Sequence, residues 1–149
     1  MNVVISNKYQ AMLESLDIEV IKTLNGEFEV EEIVNQFQNF FYQKMILDIT
    51  AIKNYRDIRT IQKLSISLDM DKLILLIDDT VDDGTNAYLS KLISMGIYNF
   101  TKNAEGILYL YNNPNTYRDV AHIQQLDITP VQEQPVIVEK YENTVPTGP

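Results

Sequence analysis

The chain has 149 residues, 45% of them hydrophobic, and a formal net charge of −9. This length is enough for one domain with a sizeable core, and the acidic balance argues against direct binding to nucleic acid or to an anionic membrane. The absence of cysteine and the single histidine exclude disulfides, thiolate metal sites and sites of several histidines. The N-terminus lacks the pattern of a signal peptide and no stretch is apolar enough to span a membrane, so we expect a cytoplasmic protein.

Short apolar runs and amphipathic helical patterns alternate along the first 112 residues. Apolar runs of this kind between helical patterns are typical of buried parallel strands. Strands are predicted at residues 2–6, 18–24, 45–48, 72–77 and 97–101. Helices are predicted at residues 8–16 (with Asn7 as its cap), 29–41, 55–68, 85–95, 103–111 and 116–126.

The alternation predicts an α/β fold in which helices cover both faces of a parallel sheet. Five strands at this spacing suit a flavodoxin-like (βα)5 three-layer sandwich with strand order 2-1-3-4-5, here with an extra C-terminal helix. Residues 1–126 are expected to form this domain. Residues 127–149 contain four prolines and no helical period, which predicts a flexible tail or interdomain linker.

Ligands of such sheets bind in a crevice at the carboxyl ends of the strands. The stretch Tyr42–Lys53, YQKMILDITAIK, places Asp48 directly after the buried third strand. Asp48 is therefore expected to stand in the crevice, either as a reactive carboxylate or as a strand-end residue with a local hydrogen bond. The segments predicted to reach the crevice are Ser6–Asn7, Asp48–Thr50, Asp78–Thr80 and Thr101–Lys102.

Over residues 1 to about 112 the order and spacing resemble the receiver domains of response regulators. Asp48 matches the phospho-accepting aspartate of that family. The segment Met95–Lys102, MGIYNFTK, is similar to the family's helix-end glycine, fifth strand and phosphoryl-contacting lysine, so that Lys102 matches the lysine. The resemblance implies that the Asp48 carboxylate attacks phosphorus and that Lys102 neutralises the developing charge.

Two positions depart from the family's pattern. The family places an acidic pair directly after the first strand to hold Mg²⁺, whereas this chain has Ser6–Lys8, SNK. The family's hydroxyl residue at the end of the fourth strand is replaced by Asp78, and Thr80 follows two residues later. An acid there would repel a phosphoryl group, and Mg²⁺ ordinarily needs one or two carboxylates besides substrate oxygens.

The roles of these residues stay open at this point. Asp48 is a candidate phospho-acceptor, and Lys102 and Thr80 are its candidate phosphoryl or carboxylate partners. An Asp48–Lys102 ion pair would stabilise the crevice without any phosphate. Asp78 and Asp79, in a loop expected to be solvated, are with Asp48 weak candidates for a metal site, and Mg²⁺ would be needed only by a phospho-accepting domain.

These departures make the chain resemble a degenerate, pseudo-receiver domain of the kind found at the N-terminus of CpaE/TadZ-type MinD/ParA-like ATPases. The resemblance implies a non-catalytic protein-interaction or dimerisation module, without cofactor, that helps to localise or assemble a pilus or secretion machine. No phosphate-binding loop of such an ATPase is present, so the ATPase is expected to follow Pro149. The alternative is a phospho-accepting receiver of two-component signalling. Flavin-type cofactor binding is a weaker hypothesis, because no glycine-rich loop follows the first strand.

Aromatic residues cluster around the predicted fifth strand and fifth helix. Tyr109 and Tyr111 are two positions apart on one helix, so both cannot face the core. Receiver domains commonly dimerise through the face of the fourth helix, fifth strand and fifth helix. Core packing alone explains most of these aromatic residues, and a homodimer through this face is the second hypothesis. The interface residues predicted for it are Tyr98, Leu108, Tyr109 and Tyr111.

Overall fold

The computed structural model describes residues 1–81 and 84–132. Five parallel strands form one sheet in the order β2-β1-β3-β4-β5, which confirms the predicted flavodoxin-like α/β fold. The strands are β1 (Asn2–Ser6), β2 (Val20–Asn25), β3 (Lys44–Asp48), β4 (Leu73–Leu76) and β5 (Phe100–Thr101). The helices are α1 (Gln10–Glu14), α2 (Val30–Phe37), α3 (Ile58–Ser67), α4 (Ala87–Ser94), α5 (Ala104–Asn112) and α6 (Tyr117–Gln132). None of these helices is both long and apolar enough to cross a membrane.

The sheet is the middle of three layers because successive side chains of a strand point to opposite faces. β1 and β4 are buried along their whole length, and β3 is buried from Met45 to Asp48. One core cluster joins the sheet to α2, α3 and α4; its members include Ile5, Ile33, Leu47, Ile61, Leu75 and Leu92. A second joins the other face to α1 and α5; its members are Val4, Leu13, Ile46, Ile74, Leu76, Ile107 and Leu110.

The predicted helices are present, but their first and last residues differ from the prediction. α2 ends at Phe37 rather than at residue 41, and Phe41 is 70% exposed instead of lying in the core. The chain turns there because Phe37 and Tyr42 are both buried and their rings meet edge to face, with centroids 6.2 Å apart. The side chain of Ile66, one of the apolar residues of the predicted helix at residues 55–68, is 77% exposed.

α6 packs against α4 and runs antiparallel to it. Near its start the ring of Tyr117 lies 6.0 Å from that of Tyr98, beyond the C-terminal end of α4. Further along, Gln124 Nε2 donates to Ser90 O at 3.0 Å and to Ser94 Oγ at 2.8 Å. The helix continues through Gln132, whereas the sequence predicted its end at residue 126. The predicted tail over residues 133–149 lies outside the described residues.

Candidate functional site

Asp48 ends β3 at the carboxyl edge of the sheet, as predicted, and its side chain is fully buried. Its Oδ2 accepts hydrogen bonds from the backbone N–H groups of Asn7 and Tyr9, each at 2.9 Å. Its Oδ1 accepts from Thr50 N at 2.9 Å and from Thr50 Oγ1 at 2.7 Å. The carboxylate therefore binds the β1–α1 loop to the end of β3.

These four hydrogen bonds fill the carboxylate, because its two oxygens together offer about four acceptor sites. Neither oxygen has a lone pair left for a phosphorus atom or a metal ion. α1 begins two residues later than predicted, after the N–H groups of Asn7 and Tyr9, which donate to Asp48. Asn7 is not the cap of α1, which is Tyr9; its side-chain amide donates to Thr50 O at 2.9 Å.

Asp78 and Thr80 form a second turn of the same kind, which begins two residues after Leu76, the last residue of β4. Asp78 Oδ1 accepts from Thr80 N at 3.1 Å and from the Thr80 hydroxyl, and the Asp78 side chain is almost fully buried. β4 neighbours β3 in the sheet, so the two Asp-x-Thr turns lie on adjacent strands. The motif is visible in the sequence as LDIT and IDDT after two apolar runs, but Thr50 was not recognised from it as a functional partner of Asp48.

Two lysines balance the acids of the second turn. Lys8 Nζ lies 3.9 Å from Asp78 Oδ2, and Lys102 Nζ lies 3.0 Å from Asp79 Oδ1. The expected Asp48–Lys102 ion pair is wrong: Asp48 forms no ion pair with any residue that the structure describes. Asp48 needs no cation because its charge is already stabilised by four hydrogen-bond donors.

The described residues of the crevice do not offer Mg²⁺ a set of free carboxylates. Asp48 has no free oxygen, one oxygen of Asp78 is occupied by Thr80, and Asp79 is 91% exposed and paired with Lys102. The position after β1 carries the cation of Lys8 where the resemblance calls for carboxylates. Over residues 1–81 and 84–132 no three His, Cys, Asp or Glu side chains are grouped as a metal site requires.

Beside the second turn lies a depression that we call the α3–α4 groove, with a volume of about 440 Å³. The Thr80 and Tyr55 hydroxyls are hydrogen-bonded at 2.9 Å, and Tyr88 OH donates to Tyr55 O at 2.5 Å. Burial raises the pKa of Tyr88, and the nearby Tyr55, Asp57 and Asp78 raise it further. Thr80 thus contacts a tyrosine network rather than Asp48. The groove is lined by Arg56, Asp57, Ile58, Thr80, Val81, Ala87, Tyr88 and Lys91.

The four predicted interface residues do not share one surface. Tyr109 is 64% exposed, and Leu108 beside it is half-buried. Tyr111 points toward the second core cluster, and its hydroxyl accepts from Asn2 Nδ2 at 3.0 Å. Tyr98 is half-buried next to Tyr117 of α6. The expectation that only one of Tyr109 and Tyr111 faces solvent is confirmed.

Comparison of the chain with protein-family models, curated proteins and solved structures gave no match. The fold is established by the strand order and the two core clusters. Function is therefore argued from the geometry around Asp48 and from the surfaces that the fold leaves open.

Proposed function

We propose that this chain is a non-catalytic, receiver-like module that binds protein. The observation that carries the proposal is the filled carboxylate of Asp48, which accepts four hydrogen bonds from Asn7, Tyr9 and Thr50. The position that would be a nucleophile in a receiver domain instead joins two loops. In this proposal the crevice resembles that of a phospho-acceptor domain, but Asp48 serves to hold the β1–α1 loop against the end of β3.

Phosphotransfer would require Asp48 to release donors that have no other partner. A buried N–H group left unpaired costs about 1–3 kcal/mol, and attack through Oδ2 would free those of Asn7 and Tyr9. The two lysines of the crevice are paired with Asp78 and Asp79, so the charge of the Asp48 carboxylate is not balanced by either of them. A phosphoryl group entering the crevice would meet the carboxylates of Asp78 and Asp79, which repel its negative charge.

The test is to incubate the protein with Mg²⁺ and acetyl phosphate, or with beryllofluoride, and to measure the intact mass and the backbone amide spectrum. We expect no adduct and no shift of the Asn7, Tyr9 and Thr50 amide signals. A working receiver domain treated in parallel shows that the reagents are active. An adduct that disappears in Asp48→Asn would favour the alternative, a phospho-accepting receiver of two-component signalling.

The partner is a second copy of the chain, docked at the α5–β5 edge, a surface of Phe100, Thr101, Glu105, Gly106, Tyr109, Leu110 and Asn115. These residues line a shallow and mainly apolar depression of about 510 Å³ beside the exposed ring of Tyr109. β5 is the last strand of the sheet, so its outer edge has no strand partner among the described residues. Because α6 lies on α4, the interface expected on α4, β5 and α5 is reduced to this edge.

The larger setting that we propose is the N-terminal part of a MinD/ParA-like ATPase that takes part in localising or assembling a pilus or secretion machine. The receiver-like order of the elements and the non-catalytic crevice support it. Reading the coding sequence beyond Pro149 tests it directly. A phosphate-binding loop with its lysine is expected there, and a stop codon or an unrelated domain would contradict this setting while leaving the interaction module intact.

A further inference from the structure

The α3–α4 groove is lined by both apolar and charged side chains. Ile58, Ala87 and the ring of Tyr88 provide apolar area, and the groove opens to solvent beside Thr80. Arg56 and Lys91 are both exposed at its rim. Neither the crevice chemistry nor the proposed dimer uses these residues.

The two rim cations differ from the other basic residues nearby. Neither Arg56 nor Lys91 forms an ion pair with a described residue; Arg56 lies over the Tyr55 ring at 4.8 Å. Asp57, the acid that also lines the groove, is paired with Arg59 at 2.8 Å. In a chain of net charge −9, a groove with two unpaired cations favours an acidic occupant. The neighbouring cations that are already paired are Lys53 (with Glu29), Arg59 (with Asp57) and Lys63 (with Glu31).

α6 directs the chain toward this groove. Gln124 contacts Ser90, and from there to Gln132 the helix advances about 12 Å, at 1.5 Å per residue. α4 runs in the opposite direction, and its first residue, Ala87, lies only about 4.5 Å from Ser90 along the helix axis. The end of α6 therefore passes the N-terminal end of α4, where Ala87 and Tyr88 line the groove.

We propose that residues 133–149 of the same chain dock in the α3–α4 groove. Their sequence, EQPVIVEKYENTVPTGP, has three glutamates and one lysine, and an apolar run at Val136–Val138. The glutamates match Arg56 and Lys91, and the apolar run matches Ile58, Ala87 and Tyr88. Six extended residues reach about 20 Å from Gln132, which is enough to place Val138 over the groove. This inference does not depend on the proposed function.

The absence of native cysteine allows a clean cross-linking test on the full chain. In Ala87→Cys/Val138→Cys, one thiol lies in the groove and the other in the docking segment. The matched control is Ala11→Cys/Val138→Cys, because Ala11 is also an exposed helical alanine but lies on α1, at the opposite face of the sheet. Docking raises the local thiol concentration, so under mild oxidation the first pair forms an intramolecular disulfide roughly 10-fold faster or more.

Mass spectrometry without reductant, at several protein concentrations, distinguishes the outcomes. Equal rates for the two pairs would overturn the proposal. A disulfide that joins two chains and grows with concentration would also overturn it, since the groove would then bind a second copy. Adding Lys91→Glu to the first pair should slow its closure several-fold, whereas Lys22→Glu on β2 should leave it unchanged. An unaltered rate with Lys91→Glu contradicts docking by charge.

Discussion

The backbone amide of Asn7 donates to Asp48 Oδ2 at 2.9 Å, although the two residues are 41 positions apart in the chain. The amide of Tyr9 donates to the same oxygen at the same distance. A carboxylate at the end of a central strand thus determines the path of the loop after β1. Because of this relationship, we expect replacement of Asp48 to lower the free energy of unfolding, whether or not Asp48 takes part in any reaction.

Asp48→Asn should therefore lower the free energy of unfolding by about 2–4 kcal/mol. Asparagine has one acceptor oxygen instead of two, so at least two of the four buried donors lose their partner, each at a cost of about 1–3 kcal/mol. Urea unfolding measures the difference. Asp79→Asn is the control, because Asp79 is 91% exposed and its pair with Lys102 contributes about 1 kcal/mol or less. Similar losses in both variants would contradict the anchoring role of Asp48.

The two Asp-x-Thr turns should respond unequally to removal of their hydroxyls. Thr50 is buried and its Oγ1 both donates to Asp48 and accepts from Lys8 N at 3.1 Å. Thr50→Val should cost about 1–3 kcal/mol of stability, since it leaves buried groups unpaired. Thr80 is exposed, so water can replace its hydroxyl and Thr80→Val should cost less than about 1 kcal/mol. The same urea titrations decide this, and equal costs would show that the turns are equivalent.

The strand order could be predicted from the sequence because it depends on features that are local and repeated. The apolar runs of β3 and β4 and the helical spacing between them are such features, and Asp48 follows from the end of its run. The partner of Asp48 could not be predicted this way. It depends on the path of the β1–α1 loop, which brings Asn7 and Tyr9 closer to the carboxylate than Lys102.

The spacing of apolar residues along the predicted helices also overestimates how many of their side chains are buried. Ile66 is one of the apolar residues of α3, yet it lies two positions from the buried Leu64, on the outer side of the helix, and is 77% exposed. Phe41 continues the pattern of α2 after the helix has ended. A helix face is wider than the contact that its neighbours make with it, so periodicity alone cannot identify the last buried residue. The different exposure of Tyr109 and Tyr111 is predictable from the sequence, because two residues that are separated by about 200° on one helix cannot both face the core.

Gly106→Ala should destabilise the fold although alanine favours helices. A Cβ at Gly106 would lie 1.9 Å from Thr101 Oγ1 and 2.7 Å from Thr101 Cβ. The helix propensity gain of about 1 kcal/mol is offset by overpacking of about 1–3 kcal/mol or more, and we expect a net loss. A double-mutant cycle with Thr101→Gly provides the control, since the double variant should lose less than the sum of the two single variants. Additive losses would contradict the contact.

Stability should fall in alkaline solution because of Tyr88. Burial raises its pKa in the folded protein, so as pH rises above about 10 the unfolded chain loses the tyrosine proton first and is favoured. Its contribution is fully present below that pH and decreases above it, by at most about 1.4 kcal/mol per pH unit.

Tyr88→Phe isolates this effect in urea titrations between pH 8 and 11. The variant should lose about 1 kcal/mol at pH 8, where it lacks the hydrogen bond to Tyr55 O, but it should decline less steeply at high pH. Tyr42→Phe is a useful companion, because burial also raises the pKa of Tyr42 and its removal should flatten the profile independently. An unchanged slope in Tyr88→Phe would mean that Tyr88 titrates normally in the folded protein.

Tyr109→Ala should weaken the proposed homodimer by roughly 10-fold or more, since buried tyrosines at interfaces are frequent hot spots of about 2 kcal/mol. The ring is 64% exposed in one chain and lies beside the depression lined by Phe100 and Leu110. Sedimentation equilibrium over a range of concentrations gives the dissociation constant. The ring contributes little to the core of a single chain, so the unfolding free energy per chain should change little once dimerisation is accounted for.

The control for this variant is Ile66→Ala, which removes an equally prominent apolar side chain, 77% exposed, from α3 on another side of the molecule. It should leave the dissociation constant unchanged. If Tyr109→Ala and Ile66→Ala behave alike, the α5–β5 edge is not the interface. If the unaltered chain stays monomeric at high micromolar concentration, the second copy is not the partner, and the apolar edge must be tested against other proteins. Neither result bears on the anchoring role of Asp48, because Asn7, Tyr9 and Thr50, which hold its carboxylate, do not line the α5–β5 edge.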